Sequence, residues 1–179
     1  MSLLPQTIRW NTRALYLLDQ TKLPLEVIGE KQESVEQVWE SIKQLKVRGA
    51  PAIGVAGAYG LLVALREKTV INIIDFMQEV ENKVAYLDSA RPTAVNLKWA
   101  LNRMLKIAKT FSGNDSKELY KQLEEEAIRI HEEDVQLCLK MGVNGVSLIK
   151  EGMGILTHCN AGALATTGIG TATSPMYLA

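Results

Sequence analysis

The chain has 179 residues, of which 47% are hydrophobic and 22% are charged. This composition is typical of a globular protein with one good core or two small ones, and it argues against disorder, collagen and coiled coil. Lys plus Arg and Asp plus Glu both number 20, so the formal net charge is zero and does not favour binding to nucleic acid or to an anionic membrane. Any anion that the protein binds must therefore be held locally.

The N-terminal region shows no signal peptide in its first residues and then contains several short β-prone runs. Residues 1–6 lack the basic flank and the apolar run of a signal peptide, and no apolar stretch is long enough to span a bilayer, so we expect a cytoplasmic protein. Runs at 7–10, 14–18 and 25–28 alternate with Asn, Asp, Gly and Pro, which is typical of small antiparallel strands and turns. The sequence therefore predicts that a small sheet opens the fold.

A series of helices follows this sheet. Ser34 and Gln37 have the spacing of a capping box, and apolar residues at helical spacing behind them predict a helix that ends near 48–51. Residues 52–66 are almost all apolar or Gly, which indicates a helix buried on most sides. Apolar spacing and chain breakers predict three more amphipathic helices, at 71–87, 93–110 and 116–141.

The pattern changes after Gly142. Residues 154–157 are typical of a strand, and they run into a turn rich in Gly, Ala and Thr, as at the opening of an α/β unit. Such a strand needs further parallel strands to bury it, and none follows in the sequence. The predicted fold class is therefore α+β: a small antiparallel sheet followed by a helical domain over 1–145, then the truncated start of an α/β domain over 146–179.

Two junctions place an Arg before a Pro at the start of a predicted helix. Arg48 precedes Pro51 by three residues, and Arg91 directly precedes Pro92. Free N–H groups at a helix N-terminus and a guanidinium both favour an anion, so the two junctions are candidates for one shared phosphate site. Each junction is also compatible with a tight turn that carries a solvated Arg.

The thiol of Cys159 is predicted to lie where a strand ends and a helix begins. Ligands of open α/β sheets bind at the carboxyl ends of strands, and a helix N-terminus lowers the pKa of a thiol, so Cys159 is a candidate reactive group. The alternative is a small buried Cys, and we expect that role for Cys138. His131, among acidic residues, is expected on a solvated face. The sequence has neither metal-ligand spacing nor a dinucleotide fingerprint, so no metal and no cofactor are expected.

Three segments, in chain order, resemble the signature blocks of methylthioribose-1-phosphate isomerases. They are Arg-Gly-Ala-Pro-Ala-Ile-Gly at 48–54, Arg-Pro-Thr-Ala-Val-Asn-Leu at 91–97 and Thr-His-Cys-Asn-Ala-Gly-Ala-Leu-Ala at 157–165. The resemblance covers nearly the whole chain, and three blocks in order are more specific than any one. The broader family includes ribose-1,5-bisphosphate isomerases and the regulatory subunits of translation initiation factor 2B. The second and third blocks are most similar to the methylthioribose branch.

The resemblance implies a fold, a reaction and a set of site residues. The small sheet and helices would be joined to a Rossmann-like C-terminal domain, in an enzyme that works as a homodimer. This enzyme converts 5-methylthioribose 1-phosphate into 5-methylthioribulose 1-phosphate in methionine salvage. Its substrate-binding residues match Arg48, Gly49, Ala50 and Arg91, and its catalytic Cys matches Cys159. The Asp that serves as acid/base partner in the family lies beyond residue 179, so we expect this chain to be incomplete and inactive alone.

Two alternatives to this isomerase remain open at the level of sequence. One is a non-catalytic regulatory or sugar-phosphate-binding module similar to the initiation factor 2B subunits, in which the sheet and helices serve protein association. The other is a ribose-1,5-bisphosphate isomerase, which differs in its substrate. A regulatory module has no need of a reactive thiol opposite a phosphate site, so the behaviour of Cys159 discriminates between enzyme and module.

Overall fold

The computed structural model describes Leu4 and residues 6–179, so the expectation about a targeting signal in residues 1–6 lies largely outside the described residues. The fold opens on three antiparallel strands in chain order: β1 (Ile8–Asn11), β2 (Ala14–Leu18) and β3 (Gly29–Gln32). Thr12 and Arg13 link the first two strands with positive φ angles of 46° and 59°, which suits a two-residue hairpin. The predicted small sheet is confirmed.

The third strand begins four residues later than predicted. The N–H groups of Leu25 and Glu26 both donate to the carbonyl of Lys22 at 3.1 Å, and these bonds turn the chain where a strand was expected. Leu25 is 91% exposed, so its apolar run does not mark a buried strand. The strand prediction at 25–28 is wrong because these residues use their backbone groups in a turn. The more polar segment behind them pairs with β2 instead, with Leu15 opposite Gln32.

Five α-helices build the body of the protein: α1 (Val35–Lys43), α2 (Ala50–Leu65), α3 (Ile73–Asp88), α4 (Val95–Thr110) and α5 (Ser116–Gly145). The predicted N-cap of α1 is confirmed, since the Ser34 side chain accepts from Gln37 N–H at 3.3 Å; the reciprocal bond differs from a capping box, because the Gln37 side chain accepts from the N–H of Glu33, one residue before the cap, at 2.7 Å. Helix α2 lies at the centre and contacts the other four helices, and its residues are nearly all buried, as predicted. Within the described part of the chain, no helix is long and apolar enough to cross a bilayer.

Residues 146–179 contain little regular structure. Their described elements are two single turns of 3₁₀ helix, Val146–Leu148 and Ala163–Ala165, and the short helix α6 (Ser174–Leu178), which packs on α5. The strand predicted at 154–157 does not form, and Leu156 is 97% exposed. A strand of an α/β unit needs hydrogen-bonded neighbours, and the described strands all lie in the N-terminal sheet. The α+β class is thus confirmed, whereas the start of a Rossmann-like domain is not.

Candidate functional site

The first predicted junction forms the N-terminal turn of α2. Gly49 is the N-cap residue, with a φ of 94°, and Pro51 lies in the first turn as predicted. No side chain caps this turn and no acidic residue lies in it, so the positive end of the helix dipole has no neutralising group there. Arg48 is exposed directly before the turn. The geometry therefore suits an anion.

The second junction differs from its prediction. Helix α4 begins at Val95 with Ala94 as its N-cap, so Pro92 lies before the helix and does not start it. Residues 91–94 instead form a separate turn before the helix, in which the N–H of Ala94 donates to the carbonyl of Arg91 at 2.9 Å. Arg91 is half-buried in this turn, and it forms no ion pair with the carboxylates of the described residues. Its convergence with Arg48 on one phosphate stays a prediction.

Close backbone packing brings the three blocks together at the start of α2. A Cβ atom on Gly49 would lie 2.4 Å from the Cα of Ala165, so the first and third blocks touch with no room for a side chain. A Cβ atom on Gly54 would lie 2.9 Å from the carbonyl oxygen of Asn96, so the second block packs against the next turn of the same helix. Three segments that are far apart in the sequence therefore meet at one helix end.

Two buried polar side chains hold the third block against the region of the sheet. The hydroxyl of Thr7 donates to the carbonyl of Ala163 at 3.0 Å, and Nε2 of Gln20 donates to the carbonyl of Leu164 at 2.8 Å. Sequence reasoning missed both residues, because neither belongs to a motif. The one signal available is that each is an uncharged polar residue at the boundary of an apolar β-prone run. Gln20 also contacts Arg48, through a 3.4 Å hydrogen bond from Nε to Oε1.

Cys159 is exposed and lies in a bend with a positive φ of 65°. The next α-helix begins only at Ser174, so the prediction that a helix starts directly behind this thiol is wrong. The segment behind the thiol instead closes on itself: the carbonyl of Ala161 accepts from the N–H of Thr171 at 2.9 Å and from the hydroxyl of Thr173 at 3.1 Å. The thiol is accessible to a reactant, and among the described residues no α-helix begins directly behind it.

Helix α5 anchors this closed loop. Oδ2 of Asp134 accepts from both the N–H and the hydroxyl of Thr167, at 2.7 and 2.6 Å. One turn later Cys138 is fully buried, and a Cβ atom on Gly168 would lie only 2.9 Å from the Cβ of Cys138. Burial raises the pKa of the Cys138 thiol, so this group stays protonated at neutral pH. Its predicted role in packing is confirmed.

His131 does not lie on the solvated face that its acidic neighbours suggest. Its Nδ1 is 3.0 Å from the hydroxyl oxygen of Tyr59, and the ring of Tyr59 stacks on Trp10 with ring centroids 5.0 Å apart. Burial lowers the pKa of His131 and raises the pKa of Tyr59, so both groups are uncharged near neutral pH. The prediction is wrong because this face of α5 packs against α2.

A groove of about 420 Å³ opens between α2, α4 and α5, beside the meeting point of the blocks. The first block, the second block and the loop behind the third block all contribute to its lining, which includes Pro51, Gly54, Asn96 and Thr171. The rest of the lining is largely apolar, apart from the carboxylates of Glu133 and Asp134. The residues that sequence reasoning selected are not among those that line it: Arg48, Gly49, Ala50, Arg91 and Cys159. The described residues contain no cluster of three or more His, Cys, Asp or Glu side chains suited to a metal ion.

Comparison with known proteins identifies relatives of nearly the whole chain. Two are named 5-deoxyribose 1-phosphate isomerase. The protein from Clostridium botulinum (strain Loch Maree / Type A3) is 53% identical over 174 residues, which are 96% of this chain and 50% of the relative. The protein from Bacillus anthracis is 50% identical over 172 residues, with the same coverage of 96% and 50%. The chain thus spans about half the length of the curated relatives it matches.

Two solved structures share the fold. The 5-methylthioribose 1-phosphate isomerase of Pyrococcus horikoshii OT3 superimposes with a TM-score of 0.92 at 40% identity, over 98% of this chain and 49% of that one. The delta subunit of translation initiation factor eIF-2B from A. fulgidus superimposes with a TM-score of 0.87 at 38% identity, over 96% and 50%. The model of the initiation factor 2 subunit family matches residues 46–176. The chain therefore belongs to the initiation factor 2 subunit family.

Proposed function

We propose that this protein is part of an aldose–ketose isomerase that acts on a pentose 1-phosphate without a hydroxyl group at C5. Relatives at 53% and 50% identity are named for 5-deoxyribose 1-phosphate, and a structural neighbour at 40% identity is named for 5-methylthioribose 1-phosphate. Both sugars carry a phosphate at C1 and differ in the substituent at C5. We take 5-methylthioribose 1-phosphate, an intermediate of methionine salvage, as the first substrate to test and its 5-deoxy analogue as the second.

The contact between Gly49 and Ala165 is the observation that carries this proposal. It joins the N-terminal turn of α2, which suits an anion, to the block that contains the exposed Cys159. An isomerase needs a phosphate anchor and an acid/base group in one site, since the anchor fixes the sugar carbons relative to the group that moves protons. The packing of this helix end on the third block supports that combination.

We assign the phosphate to the first and second blocks. The backbone N–H groups of Gly49 and Ala50 lie at the start of α2, where the helix dipole stabilises negative charge. The guanidinium groups of Arg48 and Arg91 have no carboxylate partner within ion-pair distance among residues 6–179, so their charge is available to a ligand. Because the chain has no net positive charge, this local arrangement must supply the whole attraction.

The chemistry requires a ring opening and a hydrogen transfer. As the C1–O4 bond of the sugar ring breaks, O4 gains a proton; hydrogen then moves from C2 to C1, and the hydroxyl at C2 loses its proton to become the ketone. The composition of the substrate is unchanged, so the reaction consumes no oxidant or reductant. A proton relay through an enediol and a direct hydride shift both satisfy this balance. We assign one acid/base role to the thiol of Cys159, which is accessible.

The second acid/base group comes from the family resemblance, which places it on an Asp beyond residue 179. We therefore propose that residues 1–145 form an N-terminal domain and that residues 146–179 belong to the start of a Rossmann-like domain. In the relatives the matched region is about half of the protein, so those proteins have a further region of similar length in which an acid/base partner can lie. We further propose that the complete enzyme is a cytoplasmic homodimer that requires no cofactor.

A second candidate function is a non-catalytic module that binds a sugar phosphate. The observation that favours it is the match to the delta subunit of eIF-2B from A. fulgidus, with a TM-score of 0.87. Such a module would keep the phosphate anchor and would have no use for the thiol. In the complete protein, a substitution at Cys159 therefore separates the two candidates, because it should abolish turnover by an isomerase and leave sugar-phosphate binding by a module unchanged.

The test combines calorimetry and turnover on the 179-residue chain. We expect binding of 5-methylthioribose 1-phosphate or 5-deoxyribose 1-phosphate, weakened by Arg48→Ala and by Arg91→Ala, because each removes a cation from the phosphate site. The exposed Lys117→Ala is the matched control and should leave affinity unchanged. No binding of either sugar phosphate, or equal affinity in all variants, would overturn the assignment.

Turnover, measured from the ³¹P signal of the ketose phosphate, tests whether Cys159 is one acid/base group and whether the other lies beyond residue 179. We expect binding without turnover, since the acid/base partner is assigned beyond residue 179. Turnover that is lost in Cys159→Ser would support the isomerase but refute that location of the partner. Turnover that persists in Cys159→Ser would refute the role of the thiol.

A further inference from the structure

Gln20 lies two residues after the end of β2 and is 1% exposed, yet all of its polar groups have partners in other segments. Its N–H donates to the carbonyl of Lys46 at 2.9 Å, and its Nε2 donates to the carbonyl of Leu164 at 2.8 Å. Its Oε1 accepts from Nε of Arg48 at 3.4 Å, and its backbone carbonyl accepts from Nη2 of the same guanidinium at 3.5 Å. One buried residue thus connects the end of β2, the first block and the third block.

The backbone around Gln20 is fixed on both sides. Oδ1 of Asp19 accepts from the N–H of Thr21 at 2.9 Å and from its hydroxyl at 2.6 Å. The N–H of Asp19 donates to the carbonyl of Ile28 at 2.8 Å. Since the backbone is held and the side chain is buried, the fold determines where the amide group of Gln20 lies before any ligand binds.

Arg48, unlike the buried Gln20, has a long side chain that is exposed to solvent. Fixing such a side chain costs up to about 2 kcal/mol of rotamer entropy, which a ligand must offset if the side chain is free beforehand. The two bonds to Gln20 use Nε and Nη2, which form one edge of the planar guanidinium. The remaining donors of the guanidinium stay available for the oxygens of a phosphate.

We propose that Gln20 is a positioning residue, which orders Arg48 for phosphate binding and links its orientation to the third block through Leu164. The inference rests on the proposed function in one respect, namely that Arg48 binds the phosphate. At 3.4 and 3.5 Å the two bonds to Arg48 are longer than the usual length of about 2.9 to 3.0 Å, so each alone restrains the guanidinium weakly and the pair acts together. Gln20 itself does not touch the substrate.

The first experiment measures the order of Arg48 directly and needs no sugar phosphate. The ¹⁵N–¹H signal of Arg48 Nε, identified by its loss in Arg48→Lys, reports how fast this proton exchanges with water. Gln20→Met removes the side-chain acceptor and should speed the exchange by at least about twofold, since a hydrogen bond contributes about 0.5 to 1.5 kcal/mol. Thr7→Val removes the neighbouring bond to Ala163 without touching Arg48, so it should leave the exchange rate unchanged. Equal rates in Gln20→Met and wild type would overturn the inference.

Gln20→Asn keeps the test decisive if Gln20→Met does not fold. The shorter side chain keeps an amide in the buried site but withdraws its oxygen from Nε of Arg48, so the Arg48 Nε–H proton should exchange faster than in wild type. An unchanged rate in folded Gln20→Asn would show that residue 20 does not order Arg48, and would overturn the inference.

Calorimetry with 5-methylthioribose 1-phosphate separates positioning from general stability. Gln20→Met should weaken binding by about threefold to tenfold in the wild-type background. In the Arg48→Ala background the same substitution should have no further effect, because Gln20 acts through Arg48. An equal loss in both backgrounds would refute the positioning role. If the wild-type chain does not bind the sugar phosphate, the proposed function fails, while the exchange measurement still decides about Gln20.

Discussion

The helical body at 35–145 and the segment at 146–179 are held in place by different forces. Helices α1 to α5 share one core with the sheet, and side chains such as Leu62 and Phe76 are completely buried in it. The second segment buries little apolar area beyond Ala161, Ala163 and Ala165, and it exposes larger apolar side chains: Leu148, Met153, Ile155 and Leu156. Its attachment depends on the packing of the short helix α6 against α5 and on hydrogen bonds, above all the pair between Thr167 and Asp134.

This contrast separates global from local stability. Apolar burial contributes about 25 cal/mol per Å² and adds up over a whole core, whereas one hydrogen bond contributes about 0.5 to 1.5 kcal/mol net. We therefore expect the body to unfold as one unit and the segment around Cys159 to open locally at a lower free energy. Four measurements test this distinction.

Removal of core packing from α2 has the largest expected effect. Leu62 is fully buried, so Leu62→Ala should lower the free energy of unfolding by about 2 to 5 kcal/mol, measured by urea titration with circular dichroism. Leu25→Ala, at a position that is 91% exposed, is the control and should change it by less than about 0.5 kcal/mol. Similar losses for the two variants would mean that the core is not centred on α2.

Loss of the Asp134 carboxylate should act on the segment and leave the body folded. Asp134→Ala removes both bonds to Thr167, and we expect amides of 161–171 to exchange faster, by an amount equivalent to about 1 to 2 kcal/mol. Asp134→Asn keeps an acceptor and should show a smaller change. If hydrogen exchange speeds up equally in α2 and in this segment, the two regions unfold together and the distinction is refuted.

The two thiols should differ in their rate of alkylation by about tenfold or more. Cys159 is exposed in the segment, whereas Cys138 is buried under it and burial raises its pKa, so little Cys138 thiolate forms at pH 8. Mass spectrometry after a timed reaction with iodoacetamide should find one modified thiol in native protein and two in urea. Native Cys159→Ser should then remain unmodified. Rapid labelling of Cys138 in that variant would show that the segment does not cover α5.

Protonation of His131 has the smallest expected effect. Its pKa in the folded state lies below the usual value of 6.5, so the unfolded chain takes up this proton first as the pH falls. The stability that the uncharged His131 contributes is fully present above about pH 6.5, and it is lost progressively as the pH falls below this value towards the lowered pKa. Urea titrations at pH 7.5 and 5.5 should show a steeper loss for wild type than for His131→Gln. The same pH dependence in both proteins would contradict burial of this imidazole against Tyr59.

The helices were predictable because their signals lie within the segments that form them. Apolar spacing and the cap at Ser34 locate α1, and α5 was expected at 116–141 and extends from Ser116 to Gly145. Strands depend on a partner that local sequence does not specify. The run at 25–28 has β-prone residues, but its first two N–H groups bond to the carbonyl of Lys22 and form a turn. The run at 154–157 has no neighbouring strand among the described residues.

The candidate site was predictable only where it is built from motifs. The blocks that contain Arg48, Arg91 and Cys159 were selected from their residue types and order, and the structure packs all three blocks at the start of α2. Thr7 and Gln20 were missed because a buried hydrogen bond across more than a hundred residues leaves no local pattern. The helix expected behind Cys159 was wrong for a related reason, since the loop there bonds to itself.

The absence of space between Gly49 and Ala165 has a consequence for protein engineering. Any side chain at 49 would collide with the backbone of 165, and its φ of 94° is in addition unfavourable for other residues. A larger residue at 165 would push against the same turn. A mutant library that varies these positions one at a time would therefore discard nearly every member. The two positions form one design unit, to be varied together or left unchanged.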